Sequence, residues 1–153
     1  FANLDAWQWT PDMIWFDSLG VYGTPNYYVQ QAFSLNRGDA ALPVQSNDPS
    51  ASAGDLPNLC VSAVRDDKAG EIIIKAVNVT DKGIEASINL QGVEKAGPKA
   101  AVTTLSSGKL TDENSLAEPK KIYPEKSLET IDAEQFSYVF RPYSLTILRI
   151  PVH

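Results

Sequence analysis

At 153 residues, 43% of them hydrophobic, the chain can bury one substantial core but falls well short of the roughly 250 residues of a complete (β/α)8 barrel. Thirteen basic against nineteen acidic residues leave a net charge of −6, with no basic cluster beyond Lys120-Lys121, so neither nucleic acid nor an anionic membrane surface is an expected partner. The single cysteine, Cys60, excludes an internal disulfide, and no apolar run approaches the roughly 20 residues of a membrane span.

The stretch WQWTPDMIWFDSLGVYGTPNYYVQQAFSLNRGD, residues 7–39, holds all three tryptophans and the one convincing helix. The apolar run 12–17 has strand length, and Thr24-Pro25 opens a helix over 25–36 with a hydroxyl N-cap and a proline at its first position. Tyr28, Val29, Ala32, Phe33 and Leu35 fall on one face, and Arg37-Gly38 reads as a basic last turn with a C-cap glycine. Strand, loop and helix make half of a βα repeat. A parallel strand needs parallel neighbours and helices over its faces, so this pattern expects further chain upstream.

Everything after it reads as β. A short strand at 41–44 leads into a polar loop at 46–57, SNDPSASAGDLP. Strands at 61–65 and 71–79 flank a hairpin signal, Asp66-Asp67-Lys68-Ala69-Gly70, and the run around Cys60 is expected to bury its thiol. At 84–90, Ile84, Ala86, Ile88 and Leu90 point one way while Glu85, Ser87 and Asn89 point the other. By contrast, 72–74 and 145–150 are bulky on both parities, which predicts strands covered on both faces. Runs at 101–105, 120–123, 136–140 and 143–152 bring the list to eight strands. The long connections between 108 and 129 favour a jelly-roll or Greek-key sandwich over a meander. Asn78-Val79-Thr80 is a formal glycosylation acceptor at a strand end.

Elimination narrows the chemistry. His153 is the sole histidine, which excludes a Ser-His-Asp or Cys-His system and a multi-histidine metal site within the chain. Phosphate-loop, CxxC and calcium-loop patterns are missing, so neither a cofactor nor a metal is expected. The doublets Asp66-Asp67 and Asp112-Glu113 lie in turn-like RDDKAG and LTDENS, where carboxylates face water. Glycoside hydrolysis instead needs two carboxyls converging on one bond from different elements. No catalytic residue is expected.

The wording WTPDMIWFDSLGVYGTPNYYVQQAFSLNRGD, above all TPNYYVQ, resembles the last strand and helix of the catalytic barrel in α-L-arabinofuranosidases of glycoside hydrolase family 51. SAVRDDKAGEIIIKAVNVTDKGIEASINLQG, LTDENSLAEPKKIYP and YSLTILRIPV are similar to the β-sandwich that follows that barrel. The resemblance implies an all-β, jelly-roll-like antiparallel sandwich at 40–153, preceded at 1–39 by a strand-loop-helix remnant of a (β/α)8 barrel. It implies a retaining parent enzyme that releases terminal arabinofuranosyl residues from arabinose-containing polysaccharides, with both catalytic glutamates on earlier barrel strands and a sandwich that borrows strand material from the N-terminus of the longer protein. The missing barrel is then the chief partner. A bacterial periplasmic or secreted setting is expected, with the cytoplasm left open.

On this reading Asp17, Ser18 and Tyr22 follow the barrel strand at its carboxyl end, where barrel enzymes draw their substrate walls, while Trp7 and Trp9 precede it at the end that serves stability. Met13, Ile14, Trp15 and Phe16 would lose their covering when separated from the barrel, so the segment is expected either to fold back against the sandwich and the 25–36 helix or, the favoured outcome, to pair with the same segment of a second copy. Two other classes stay in view. One is a free-standing carbohydrate-binding sandwich, whose aromatic candidates are Tyr123, Tyr138 and Tyr143, and the other is a structural or interaction module.

Overall fold

In the computed structural model the described residues are 2–4, 13–47, 56–131 and 134–152, the first three as backbone. Trp7, Trp9, Asp12, His153 and most of the 46–57 loop lie outside them. Strands β1 (Ala2–Leu4), β2 (Ile14–Phe16) and β3 (Val21–Gly23) form a small sheet followed by helix α1 (Pro25–Leu35). β1 and β2 pair in parallel, Asn3 opposite Trp15, whereas β2 and β3 form an antiparallel hairpin, Trp15 opposite Tyr22.

Eight strands follow: β4 (Ala40–Leu42), β5 (Leu59–Asp66), β6 (Glu71–Asn78), β7 (Ile84–Asn89), β8 (Lys99–Ser106), β9 (Glu125–Thr130), β10 (Gln135–Phe140) and β11 (Ser144–Pro151). Six form one antiparallel sheet in the order β4-β5-β6-β11-β8-β9, and β10-β7 form the second layer. The pairs β6–β11, β7–β10 and β8–β9 are nested, so the chain is a folded antiparallel ribbon wound over itself, which is the jelly-roll path. The fold is an all-β antiparallel sandwich.

The large sheet is covered on both faces, as the double-parity runs predict. Ile72, Ile74, Ala76, Leu148, Ile150, Val102 and Ala100 face the β7–β10 layer and pack with Ile84, Ile88, Phe136 and Phe140. The opposite parity, Ile73, Val77, Leu145, Ile147 and Leu105, packs with Tyr28, Val29 and Ala32 of α1 and with Ile122. In β7 the expected alternation holds, with Glu85, Ser87 and Asn89 exposed.

Four local expectations are corrected. The helix ends at Leu35, so Arg37 lies beyond its last turn. The positive charge at that end comes instead from Arg149 on β11, whose Nη1 donates to Asn36 Oδ1 at 3.1 Å, while Asn36 Nδ2 donates to Ala32 O at 2.8 Å. Gly38 is no left-handed cap: a Cβ there would lie 2.7 Å from Arg65 O and from Val64, so the glycine serves a close approach to β5. Residues 120–123 form turns rather than a strand, and the strand is β9, exposed at all six positions. Asn78, in the formal glycosylation pattern, is 1% exposed. Its Nδ2 donates to Lys82 O (2.7 Å), Arg141 O (2.9 Å) and Phe140 O (3.2 Å), so the acceptor nitrogen of the formal glycosylation site is closed off. Finally, Cys60 is not buried as expected: it is half-buried, its thiol 3.6 Å from Pro57 O.

Candidate functional site

The candidate site is the β2–β3 hairpin and the start of α1. Phe16 and Val21 are the last paired residues, so Asp17, Ser18, Leu19 and Gly20 make the turn. Asp17 builds it: its Oδ1 accepts from Leu19 N and Gly20 N, each at 2.7 Å, and its own N donates to Gly20 O at 3.0 Å. Ser18 is exposed at the apex. Tyr22 sits one step back from the turn, on the same face as its cross-strand partner Trp15. The structure thus brings Asp17 and Ser18 together at the tip and places Tyr22 on the adjoining strand.

The base of the hairpin is welded to the helix by Thr24. Its backbone N donates to Met13 O at 2.9 Å and its Oγ1 to the same carbonyl at 3.1 Å, while Oγ1 accepts from Tyr27 N at 3.3 Å as the N-cap. Gly23 is required where it stands, because a Cβ would fall 2.7 Å from the Tyr27 ring. Of the apolar run 13–16, Trp15 is buried at 7% exposure and Met13 and Ile14 are half-buried. The hairpin tip is different: Phe16 is 40%, Val21 64% and Leu19 95% exposed, with Phe16 and Val21 opposite one another across the strands.

Sequence reasoning missed Asn114. It lies in the 107–124 loop of the sandwich, is buried, and donates from Nδ2 to Gly23 O at 2.8 Å. No periodicity marks it, since an Asn in TDENS reads as a solvated turn. The neighbouring acids are committed to structure. Asp112 accepts from Ser107 Oγ (2.7 Å), Lys109 N (3.1 Å) and Lys121 Nζ (3.0 Å), and the Ser107 and Lys121 bonds hold its carboxyl below the usual range. Asp66 accepts from Ala69 N (2.9 Å) and Arg149 Nη2 (3.1 Å), with its carboxyl likewise lowered, first by the turn amide. Asp67 pairs with Arg65, and Glu71 accepts from Arg149 Nε at 2.7 Å.

Beside the start of α1, Pro25, Val29, Leu105, Ile122 and Leu145 line an apolar trough of about 330 Å³. It adjoins a charged cavity of about 490 Å³ bordered by Asp81, Asp112, Lys121, Arg141 and Tyr143. Among the described residues no three His, Cys, Asp or Glu side chains gather to hold a metal. The three sandwich tyrosines stand in different settings. Tyr138 packs into the sandwich interior against Phe140, Tyr123 lies edge-on to Tyr28 on the helix side, and Tyr143 stands at the β10–β11 corner with a left-handed φ of 42°.

A jelly roll that carries a parallel-paired strand, a hairpin and a helix on its outer face belongs to the class of β-sandwiches joined to a βα layer. The chain belongs to the α-L-arabinofuranosidase C-terminal domain family, whose model matches residues 1–144. It is similar to α-L-arabinofuranosidase 1 of Arabidopsis thaliana, 32% identical over 153 residues, covering 95% of this chain and 21% of the relative. It is also similar to α-L-arabinofuranosidase 2 of the same plant, 31% identical over 149 residues with the same coverages. Among solved structures it shares its fold with an arabinose-bound family 51 α-L-arabinofuranosidase, with a TM-score of 0.82 and 22% identity over 95% of this chain and 22% of that one. The chain therefore spans about a fifth of the length of these relatives, in which this domain is one part of a larger arabinofuranosidase.

Proposed function

We propose that this chain is the C-terminal segment of an α-L-arabinofuranosidase that removes terminal arabinofuranosyl residues from arabinose-containing polysaccharides. Residues 1–39 supply the last βα unit of the catalytic barrel, 40–153 form an accessory sandwich, and the two catalytic glutamates lie outside the chain. The observation that carries the reading is the pairing of β2: parallel to β1, in a chain whose other described pairs are antiparallel, and followed by a helix. Asp17, Ser18 and Tyr22, at the carboxyl end of β2, form part of the wall of the substrate pocket. The apolar tip of Phe16, Leu19 and Val21 supports a covering neighbour, which is the barrel.

The test is an assay of the 153-residue chain on an aryl α-L-arabinofuranoside. No turnover is expected, because on this reading the two catalytic glutamates lie on barrel strands outside the chain. Turnover that is abolished by replacing a carboxylate within the chain would overturn the proposal. Without its barrel the chain self-associates through the exposed side chains of the hairpin, Phe16 of the 13–16 run and its cross-strand partner Val21. Sedimentation of wild type against Phe16→Asp/Val21→Asp decides this: the double variant should run as a monomer, and a strictly monomeric wild type sinks the idea.

A further inference from the structure

We infer that Asn114 is a positioning residue through which the sandwich holds the β2–β3 hairpin in place, and that the parent enzyme's affinity for arabinofuranosides depends on this clasp. The second half rests on the reading of the hairpin as a substrate wall.

Asn114 is 5% exposed, and its amide makes three hydrogen bonds that occupy both N–H donors. Oδ1 accepts from Ile122 N at 2.7 Å, and Nδ2 donates to Ile122 O at 2.9 Å and to Gly23 O at 2.8 Å. The first two bonds fix the amide plane on the backbone of its own loop, which leaves the remaining N–H aimed across the molecule at Gly23. Gly23 is the last residue of β3, and the next residue, Thr24, both ties β2 through Met13 O and caps α1. One hydrogen bond from the sandwich thus reaches the joint of strand, hairpin and helix.

A second residue of the same loop stands nearer the tip: Leu116 lies beside Gly20, where a Cβ added to the glycine would come 3.4 Å from Leu116 Cδ2. The loop that carries Asn114 and Leu116 is itself held. Asp112 gathers Ser107, Lys109 and Lys121 at its first half, and Tyr123 packs edge-on to Tyr28, 5.1 Å between centroids, at its end. A wall residue displaced by an ångström loses its substrate contacts, so a clasp on β3 acts on binding although it touches no substrate.

The experiment compares Asn114→Asp with a control at the far end of the helix, Asn36→Ala, which breaks the Arg149 contact and leaves the hairpin alone. Asp keeps the acceptor for Ile122 N but turns a carboxylate toward two carbonyls. Amide exchange over 14–23 is measured in this chain, and KM and kcat on an aryl α-L-arabinofuranoside in the full-length protein. Asn114→Asp should speed hairpin exchange about tenfold and raise KM about fivefold with kcat nearly held, whereas Asn36→Ala moves neither hairpin exchange nor KM. If Asn114→Asp fails to fold, Leu116→Ala, which leaves the amide in place, serves the same comparison. Unchanged hairpin exchange would overturn the clasp. Equal KM changes in the Asn114 and Asn36 variants would overturn it as well, by showing general loosening. Faster exchange with an unchanged KM would overturn the link to affinity by removing the wall reading beneath it.

Discussion

The two faces of the six-stranded sheet bury similar side chains but are closed in different ways. One is sealed by the β7–β10 layer, aliphatic against aliphatic and aromatic, and Thr146 Oγ1 on this face is a buried polar atom with no partner. The other is sealed by α1 and the 107–124 loop, where apolar packing is joined by polar fasteners: Asn114 at the start of the helix, and Arg149 with Asp66, Glu71 and Asn36 at its end. Apolar packing is non-directional and tolerates small slips, whereas a bidentate amide or a guanidinium fork fixes one arrangement. The first face makes the fold, and the second fixes how α1 and the β1–β3 sheet sit on it.

The largest effect should come from the first face. Phe140 is 2% exposed at the middle of that core, and Phe140→Ala should cost about 3–5 kcal/mol in denaturant unfolding. A cost below about 1 kcal/mol would mean that the β7–β10 layer is not what closes the sandwich.

On the second face, Arg149→Ala should cost less, about 1–2 kcal/mol, since the pair is partly solvated, and the loss should appear first as faster amide exchange in α1. Acid sharpens the contrast. The Asp66 and Asp112 carboxyls titrate below their ordinary 3.8, so their contribution is complete above that pH and fades as pH falls through the lower folded values. Exchange in α1 and in 107–124 should therefore accelerate below about pH 4 while β6 and β11 stay protected, and Arg149→Ala should blunt the acid response of α1. Simultaneous loss of protection on both faces would erase the distinction.

The smallest effect has the opposite sign. Thr146→Val replaces the partnerless hydroxyl by a methyl of similar shape and should raise stability by about 1 kcal/mol. A destabilised variant would show that the hydroxyl has a partner after all.

What was legible in the sequence was what periodicity and turn chemistry encode. The double parity of Ile72-Ile73-Ile74 announced a sheet covered twice, and Thr24-Pro25 announced the helix start. β9 was illegible because EKSLET is an exposed edge strand, with Leu128 67% exposed and no apolar face to alternate. The run at 120–123 misled for the complementary reason: Ile122 is buried as a strand residue would be, but its backbone partners are the Asn114 side chain instead of a ladder. At the candidate site, chain order put Asp17, Ser18 and Tyr22 near one another. The clasp on Gly23 could not be seen, because a contact spanning 91 residues leaves no local mark.

The order of strands also sets a timetable. β11 lies between β6 and β8 at the centre of the large sheet, yet it is the last strand in the described chain. During synthesis the β4–β5–β6 and β8–β9 hairpins leave the ribosome well before the strand that joins them, each with an unpaired inner edge. The sandwich therefore cannot close until β11 arrives, and a chain cut after Tyr143 leaves the β4–β5–β6 and β8–β9 groups unjoined.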